Sequence, residues 1–598
     1  MLCSYRQHRL CICYPPMTFS KSRIPFSEPR FQLLSLAFAA AIGSGCMSTV
    51  EHEAEADDEV YQIVSERRAE LGAGSDFSIN PSPDSLRQRI LRGESVPEIG
   101  ALTLLQCQRI AAENSRDYQA RRESLYLSAL DLTLERYQFG YRVDLNGGAS
   151  VSGGDSGAES FDADAGLTFQ RVMGNGANVV LNIGADMFKG LASGNLQSLF
   201  GTLGLTITKP LLSGSSEEAI FESLTRAERR VVDQARNYER FRRTFAVEMF
   251  SRYWRVLEEV EVVKNEETNF ANLKTLRERN EAHGEAGRLA DIEVGQARQN
   301  ELRAEARVIT ARQRLDGLLD DLKFFMGLPV DIELGLDSAA FQTMNNEGIR
   351  PIAVLESDAV ALAMASRFDM ATSLDNVADA ERTLRIVEED LGAQVDLIVS
   401  GNNSNQLHSD GSTDNSTLSW DVGLDVNLPL DRMGERNQMR AARISLESAK
   451  RAAFENADRI RLELRDDLRR LKASEDTFLI AESSVPLAEK RVESAALKLE
   501  AGRAETRDLL EAQEDLLQAR NSRITALVDY QLANLDLFLD MEQLDVNEDG
   551  VQTRDLDIIE WRTSDNDLNQ AGVADATAEN IAGADSTASA GEPAKEGR

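Results

Sequence analysis

The sequence predicts an α+β membrane protein in which paired β-strands lead into long α-helical hairpins, with the whole plan occurring twice. Three observations carry this. First, Leu418, Trp420, Val422, Leu424, Val426, Leu428 and Leu430 share one face of an alternating run, while Ser419, Asp421, Gly423, Asp425, Asn427 and Pro429 share the other. A strand apolar on one side and charged on the other suits a barrel wall between lipid and a wet lumen. Second, neither Pro nor Gly interrupts the chain from Ser215 to His283, which allows a helix about 100 Å long. Third, the landmarks repeat. A strand, Lys209-Pro210-Leu211, a long helix, a Gly-bearing turn and Asp291-Ile292 are answered by a strand, Leu428-Pro429-Leu430, a long helix, Gly502 and Asp508-Leu509. Pro210 and Pro429 stand 219 residues apart, and Asp291 and Asp508 stand 217 apart.

Taken in order, residues 1–45 read as a signal peptide, with Met17 as a second candidate start. Lys21, Arg23 and Arg30 precede an apolar run from Phe31 to Ile42, too short to span a bilayer as a helix but right for an export signal. Gly43-Ser44-Gly45-Cys46 follows, and small residues before a Cys resemble a lipidation box, so Cys46 is the expected lipid site, although Gly43 stands where such boxes carry Leu. Residues 46–98 are acidic and Pro/Gly/Ser-punctuated, an expected extended lead-in. A first repeat is expected over residues 99–326 and a second over 327–540. Within the first, a helix runs from Leu102 to about Tyr137, followed by alternating strands at Tyr141–Val151 and Leu203–Ile207. Between these lie two further alternating runs, Phe161–Phe169 and Val179–Met187, joined by Gly174-Asn175-Gly176.

The first helical hairpin returns from Leu289 to about Met326. Helices near 354–365 and 370–391, strands at Val395–Val399 and Leu418–Leu430, and a second hairpin of 434–500 and about 503–539 complete the repeat. Pro486 inside the long helix is expected to kink it. Leu510, Leu517, Ile524 and Phe538 share a heptad position, with Leu527, Val528 and Leu535 beside it. That spacing predicts side-by-side helix packing, in a barrel or in a soluble antiparallel spacer. Asp545, Asn547, Asp549 and Gly550 open like a calcium loop, but Leu556 stands where the closing Glu belongs, so a polar loop is expected. Residues 541–598 read as an acidic, largely disordered tail.

Composition excludes some functions. The net charge of −34, from 66 basic and 100 acidic residues, argues against nucleic acid. Four scattered His residues, no phosphate loop and no Cys/His cluster give no catalytic site, no metal site and no cofactor. No later segment is apolar enough for a transmembrane helix.

The order of strands, helical hairpin, mixed segment, strands and second hairpin resembles that of the TolC family of outer-membrane channel proteins. So do Ala501-Gly502-Arg503-Ala504-Glu505-Thr506-Arg507-Asp508-Leu509-Leu510-Glu511-Ala512-Gln513, Val426-Asn427-Leu428-Pro429-Leu430-Asp431, Ala365-Ser366-Arg367-Phe368-Asp369 and Glu113-Asn114-Ser115-Arg116-Asp117. The resemblance covers roughly residues 100–540. It implies a homotrimer in which each subunit gives four strands to one 12-stranded β-barrel in the bacterial outer membrane, continued by a long α-helical barrel in the periplasm with a small mixed equatorial domain. It also implies a passive export duct, working with a periplasmic membrane-fusion adaptor and an inner-membrane pump of RND or ABC type. Small-molecule efflux is expected ahead of type I protein secretion. A lipid-anchored periplasmic spacer or adaptor is the alternative.

The extra hairpin around Phe161–Met187 departs from the family plan and is expected to stand outside the membrane. The helix turns, with Gly284, Gly287, Arg288, Leu289 and Asp291 in the first and Gly502, Arg503 and Thr506 in the second, are the expected adaptor-contact tips. Asp508 and Glu511 match positions where family members carry acidic residues at the closed aperture, and at i, i+3 they share one helix face.

Overall fold

The computed structural model describes residues 48–553 apart from 73–76, 81–82, 95, 97–99, 154–158, 191–195, 350–351, 353, 409–416, 429 and 548–549. The signal peptide, Cys46 and the tail from residue 554 lie outside the described residues. The chain divides into two compact units, residues 1–58 and 59–598. The first is described only from Ser48 onward, and that stretch is helical from Thr49.

Helix α1 (Thr49–Glu70) and the short helix α2 (Leu86–Leu91) occupy the segment expected to be an extended lead-in. That expectation fails for a physical reason. From residue 59 on, Val60, Ile63 and Val64 recur at helical spacing and bury fully against Leu125, Tyr126 and Tyr238, a periodicity that the surrounding Glu and Asp mask. Helices α3 (Leu104–Asn114) and α4 (Arg116–Phe139) follow, broken at Ser115 where one helix was expected.

The main sheet of the described residues is built from β1 (Arg142–Gly153), β2 (Glu159–Val172), β3 (Asn178–Gly190), β4 (Leu196–Pro210), β5 (Gln394–His408) and β6 (Thr417–Asn427). They form one antiparallel sheet in sequence order. The expectation of four strands is therefore corrected to six, and the extra hairpin does not stand apart. β1 pairs with β2 along the whole length of β1, and β3 pairs with β4. The pairing keeps phase: Val143, Phe169, Leu181 and Leu205 are partners in turn, as are Leu145, Leu167, Ile183 and Leu203. One face of all six strands is consequently mainly apolar, with Asn403 and Asn405 of β5 as polar exceptions, and much of it is bare in the single chain, with Trp420 77% and Leu418 75% exposed.

The first helical hairpin is α5 (Glu217–Ile220), α6 (Glu222–Glu285) and α7 (Asp291–Phe325). Then come α8 (Ala339–Glu347), α9 (Glu356–Ser366) and α10 (Phe368–Glu389), and, after β5 and β6, the second hairpin of α11 (Met433–Glu500) and α12 (Thr506–Asp540). Helix α11 continues through Pro486. The heptad residues Leu510, Leu517, Ile524 and Phe538 are all buried. The segment after α12, expected as a polar loop, pairs β7 (Leu544–Asn547) with β8 (Gly550–Thr553).

The internal repeat is real in the backbone, with a different register from the one the sequence suggests. Ser115 and Arg367, each joining two helices, are 252 residues apart (367 − 115), as are Arg142 and Gln394, which open β1 and β5. Beyond the sheet the offset is 215: Gly287 answers Gly502 (502 − 287), Asp291 answers Thr506 and Phe325 answers Asp540. Asp291 therefore matches Thr506, not Asp508. The difference of 37 residues (252 − 215) is about the length of the β2–β3 hairpin with its loops. That hairpin is an insertion in the first repeat.

Candidate functional site

The helical tips are built by one turn used twice. In each, a Gly with φ +67°, Gly287 or Gly502, sits one residue past the helix cap. Gly287 N–H donates to Gly284 O at 2.9 Å and Arg288 N–H to His283 O at 2.9 Å. Gly502 N–H donates to Leu499 O at 3.0 Å and Arg503 N–H to Lys498 O at 2.8 Å. This doubly bonded ending needs a left-handed residue, which is why Gly stands there. Gly284 has another role. It lies inside α6, and a Cβ on it would come 2.9 Å from Val294 Cγ2, so it lets α7 approach closely.

Gly287, Arg288, Asp291, Gly502 and Arg503 are exposed and Leu289 is half-buried, so these residues remain available at the tips. Thr506 does not. It is fully buried, which removes it from any contact surface. Its hydroxyl accepts from Asn280 Nδ2 at 3.2 Å and donates to Glu293 Oε2 at 3.2 Å. Thr506 therefore ties α12 to both helices of the other hairpin. Asn280, 3% exposed, is the partner that sequence reading missed, because an Asn within a long polar helix carries no distinguishing signal.

Beside a buried apolar cluster that joins Leu273, Leu276 and Ala304 to Leu509, Leu510 and Ala512, the seam between α12 and the first hairpin carries further polar contacts. Asn265 Nδ2 donates to Asn521 Oδ1 at 2.9 Å, and Thr525 Oγ1 donates to Glu258 Oε1 at 2.6 Å. Arg307 bridges Glu266 and Glu514 at 3.1 Å each. Such contacts can exchange for water when helices slide, at a net cost of about 1 kcal/mol each. Replacing Thr506 by Val should leave the Asn280 amide buried without its acceptor, costing about 1–3 kcal/mol. A lower unfolding temperature checks this, and Thr506→Ser should behave as the parent.

Asp508 and Glu511 are both exposed, while Leu509, Leu510 and Ala512 between and beside them are buried. Asp508 also caps its own helix, accepting from Glu505 N–H at 3.2 Å. Glu511 lies 3.6 Å from the equally exposed Arg507, a contact that is weak in water.

At the other end of α12 a cleft of about 440 Å³ is lined by Arg240, Arg367, Glu463, Asp467, Arg470 and Asp540 among others. Burial and the neighbouring Asp540 push the Asp467 carboxyl up to about 7. Glu542, with φ +60°, sits at the position answering Gly327 and is held there by Arg240 at 2.9 Å and by Arg243. Burial raises the Cys107 thiol to about 12, so it is inert at neutral pH. Among the described residues no cluster could hold a metal ion, and no helix is long and apolar enough to cross a membrane.

A two-faced sheet with free edges, joined to two long hairpins that end in the same turn, defines the fold class of outer-membrane channels. Residues 359–539 match the family model described as outer membrane efflux protein. In fold the chain is similar to the CmeC outer membrane channel of Campylobacter jejuni (14% identity, 76% of this chain and 88% of that one, TM-score 0.53). It is also similar to the outer membrane protein VceC of Vibrio cholerae (14%, 73% and 95%, 0.54) and to the open state of the MtrE outer membrane channel of Neisseria gonorrhoeae (14%, 75% and 93%, 0.54). No curated protein matches the chain. The resemblance to the TolC family drawn from the sequence agrees with the matched family model and with the fold of these channels.

Proposed function

We propose that the chain is one subunit of a homotrimeric duct that passively conducts substrates across the outer membrane. It would receive them from an inner-membrane transporter through a periplasmic adaptor. The observation that carries this is the joining, in one chain, of a sheet with a bare apolar face and two unpaired edges to two long hairpins with matching exposed tips. Unpaired edges and bare apolar surface both require partner chains and lipid. The exposed tip residues Gly287, Arg288, Leu289, Asp291, Gly502 and Arg503 are the adaptor contacts in this reading, and small-molecule efflux is the cargo class ahead of protein secretion.

Just behind one tip, Asp508 and Glu511 of three copies would ring the aperture with carboxylates, favouring cations and repelling anions. Replacing them with Asn and Gln should weaken block by divalent cations in single-channel recordings, while Asn at 508 keeps an acceptor for the helix cap. Unchanged block would remove these two residues from the aperture. The duct itself predicts heat-modifiable, trimeric migration from outer-membrane fractions. A monomer released in soluble form would favour a periplasmic spacer instead.

A further inference from the structure

The inserted hairpin changes the exit. Strands β2 and β3 have 14 and 13 residues, against 12 in β1 and 15 in β4, and each exceeds the 9–11 residues that span a bilayer as a tilted strand. They continue the apolar face through Phe161, Leu167, Phe169, Leu181, Ile183 and Met187, with Arg171 and Lys189 on it only toward the strand ends, where long basic side chains can reach the membrane interface. Held in water, that face would be an exposed apolar patch of the kind soluble surfaces avoid.

The hairpin is also anchored at its turn. Met173 N–H donates to Ala177 O at 2.8 Å and Gly176, φ +77°, donates to Met173 O at 2.9 Å. A Cβ on Gly176 would lie 2.9 Å from Ile220 Cδ1 and 3.2 Å from Pro210 Cγ. The tight turn therefore packs against the start of the long helices, the end where outer-membrane barrels carry their short turns.

The opposite face continues as well. On it Gly148 is covered by Asp164, whose Oδ1 would lie 2.6 Å from an added Cβ, and Gly184 by Thr202, whose Oγ1 would lie 2.5 Å away. Polar side chains from inserted and original strands thus lie flat on neighbouring glycines along one wall. The inserted strands add Asp162, Asp164, Thr168, Gln170, Asn182 and Asp186 to it, with no Lys or Arg.

We infer that this chain forms an eighteen-stranded pore, six strands from each of three copies, in place of the twelve-stranded exit implied by the family. The inference rests on the trimeric duct reading. Barrel diameter grows roughly linearly with strand number, so the exit is about half again as wide, in the range that leaves an open aqueous channel. The outer-membrane segment then passes large hydrated polar solutes without sieving them, and size selection falls to the helical tips.

The test uses the full chain in outer-membrane vesicles. Cysteines are placed singly at Thr168, Asn182, Leu167 and Ile183 and labelled with a membrane-impermeant maleimide, counted above the unmodified chain. Thr168→Cys and Asn182→Cys should react roughly tenfold or more faster than Leu167→Cys and Ile183→Cys, whose side chains face lipid. Ring diameters in electron-microscope class averages of the purified assembly should show the wider barrel, and native mass spectrometry should give a trimer. A trimer with equal labelling at all four sites, or with a ring of twelve-strand size, overturns the inference and leaves the duct standing. An assembly that is not a trimer overturns both.

Discussion

Replacing Val422 by Arg should abolish stable assembly in the outer membrane, whereas Asp421→Arg, one residue away, should assemble normally and change only ion selectivity. Val422 lies in the middle of β6 on the apolar face, paired with Val399. An Arg near the bilayer midplane of a barrel costs about 2–4 kcal/mol, and symmetry would impose that cost three times in one assembly. Asp421 pairs with Ser400 on the polar face, where water can solvate either charge. Loss of the heat-resistant band for Val422→Arg, with its retention for Asp421→Arg, checks the facing of the whole sheet. Equal behaviour of the two variants would mean that the apolar face does not meet lipid.

Glu239→Ala should be the most damaging change in the helical region. Glu239 accepts from Arg68 Nε at 2.8 Å and pairs with Arg242 at 2.7 Å, and the Arg68 and Glu239 side chains are only 4% and 6% exposed. Removing the carboxylate takes away the acceptor that Arg68 and Arg242 share, and breaking a buried ion pair from one side usually costs about 3–5 kcal/mol. The consequence should be local first, because Arg68 is what α1 contributes to this pair. Limited proteolysis within Glu59–Glu70 should accelerate in Glu239→Ala, together with a lower unfolding temperature. The double replacement Arg68→Met/Glu239→Leu should recover much of the loss, since a well-packed apolar pair can match a buried ion pair. Proteolysis unchanged in the single variant would show that α1 is held by its apolar face alone.

Much of this architecture was legible in the sequence because it rests on periodicity. The alternation from Leu418 to Val426 is β6, and the heptad from Leu510 to Phe538 is buried as its spacing requires. The failures have physical causes too. The hairpin at Phe161–Met187 carries the same alternation as its neighbours and pairs with them, whereas the family resemblance implies four strands. Phase between strands, which settles the matter, appears only once pairing is known. The repeat register slipped by two because Asp291 and Asp508 look alike, while the backbone is aligned by Gly287 and Gly502, which alone have φ +67° at the tips.

Thr506 belongs to the tip that the family resemblance implies as a contact, and nothing local in the sequence shows that the other hairpin covers it. Glu542 escaped notice because the position answering Gly327 holds a residue that rarely takes positive φ. Its carboxylate is pinned by Arg240 and Arg243, and both partners are about 300 residues away in sequence.

The insertion in the first repeat bears on how such a channel can diversify. In an antiparallel sheet a single added strand would reverse the direction of every strand after it and send the next helix to the wrong side of the membrane. A hairpin is the smallest addition that returns the chain to its starting side. The constant offset of 215 from Gly287 to Phe325 shows that the return hairpin kept its geometry despite it. In the proposed duct the calibre of the mouth would change in steps of two strands per chain, while the turns at the far end of the helical hairpins stay as they are.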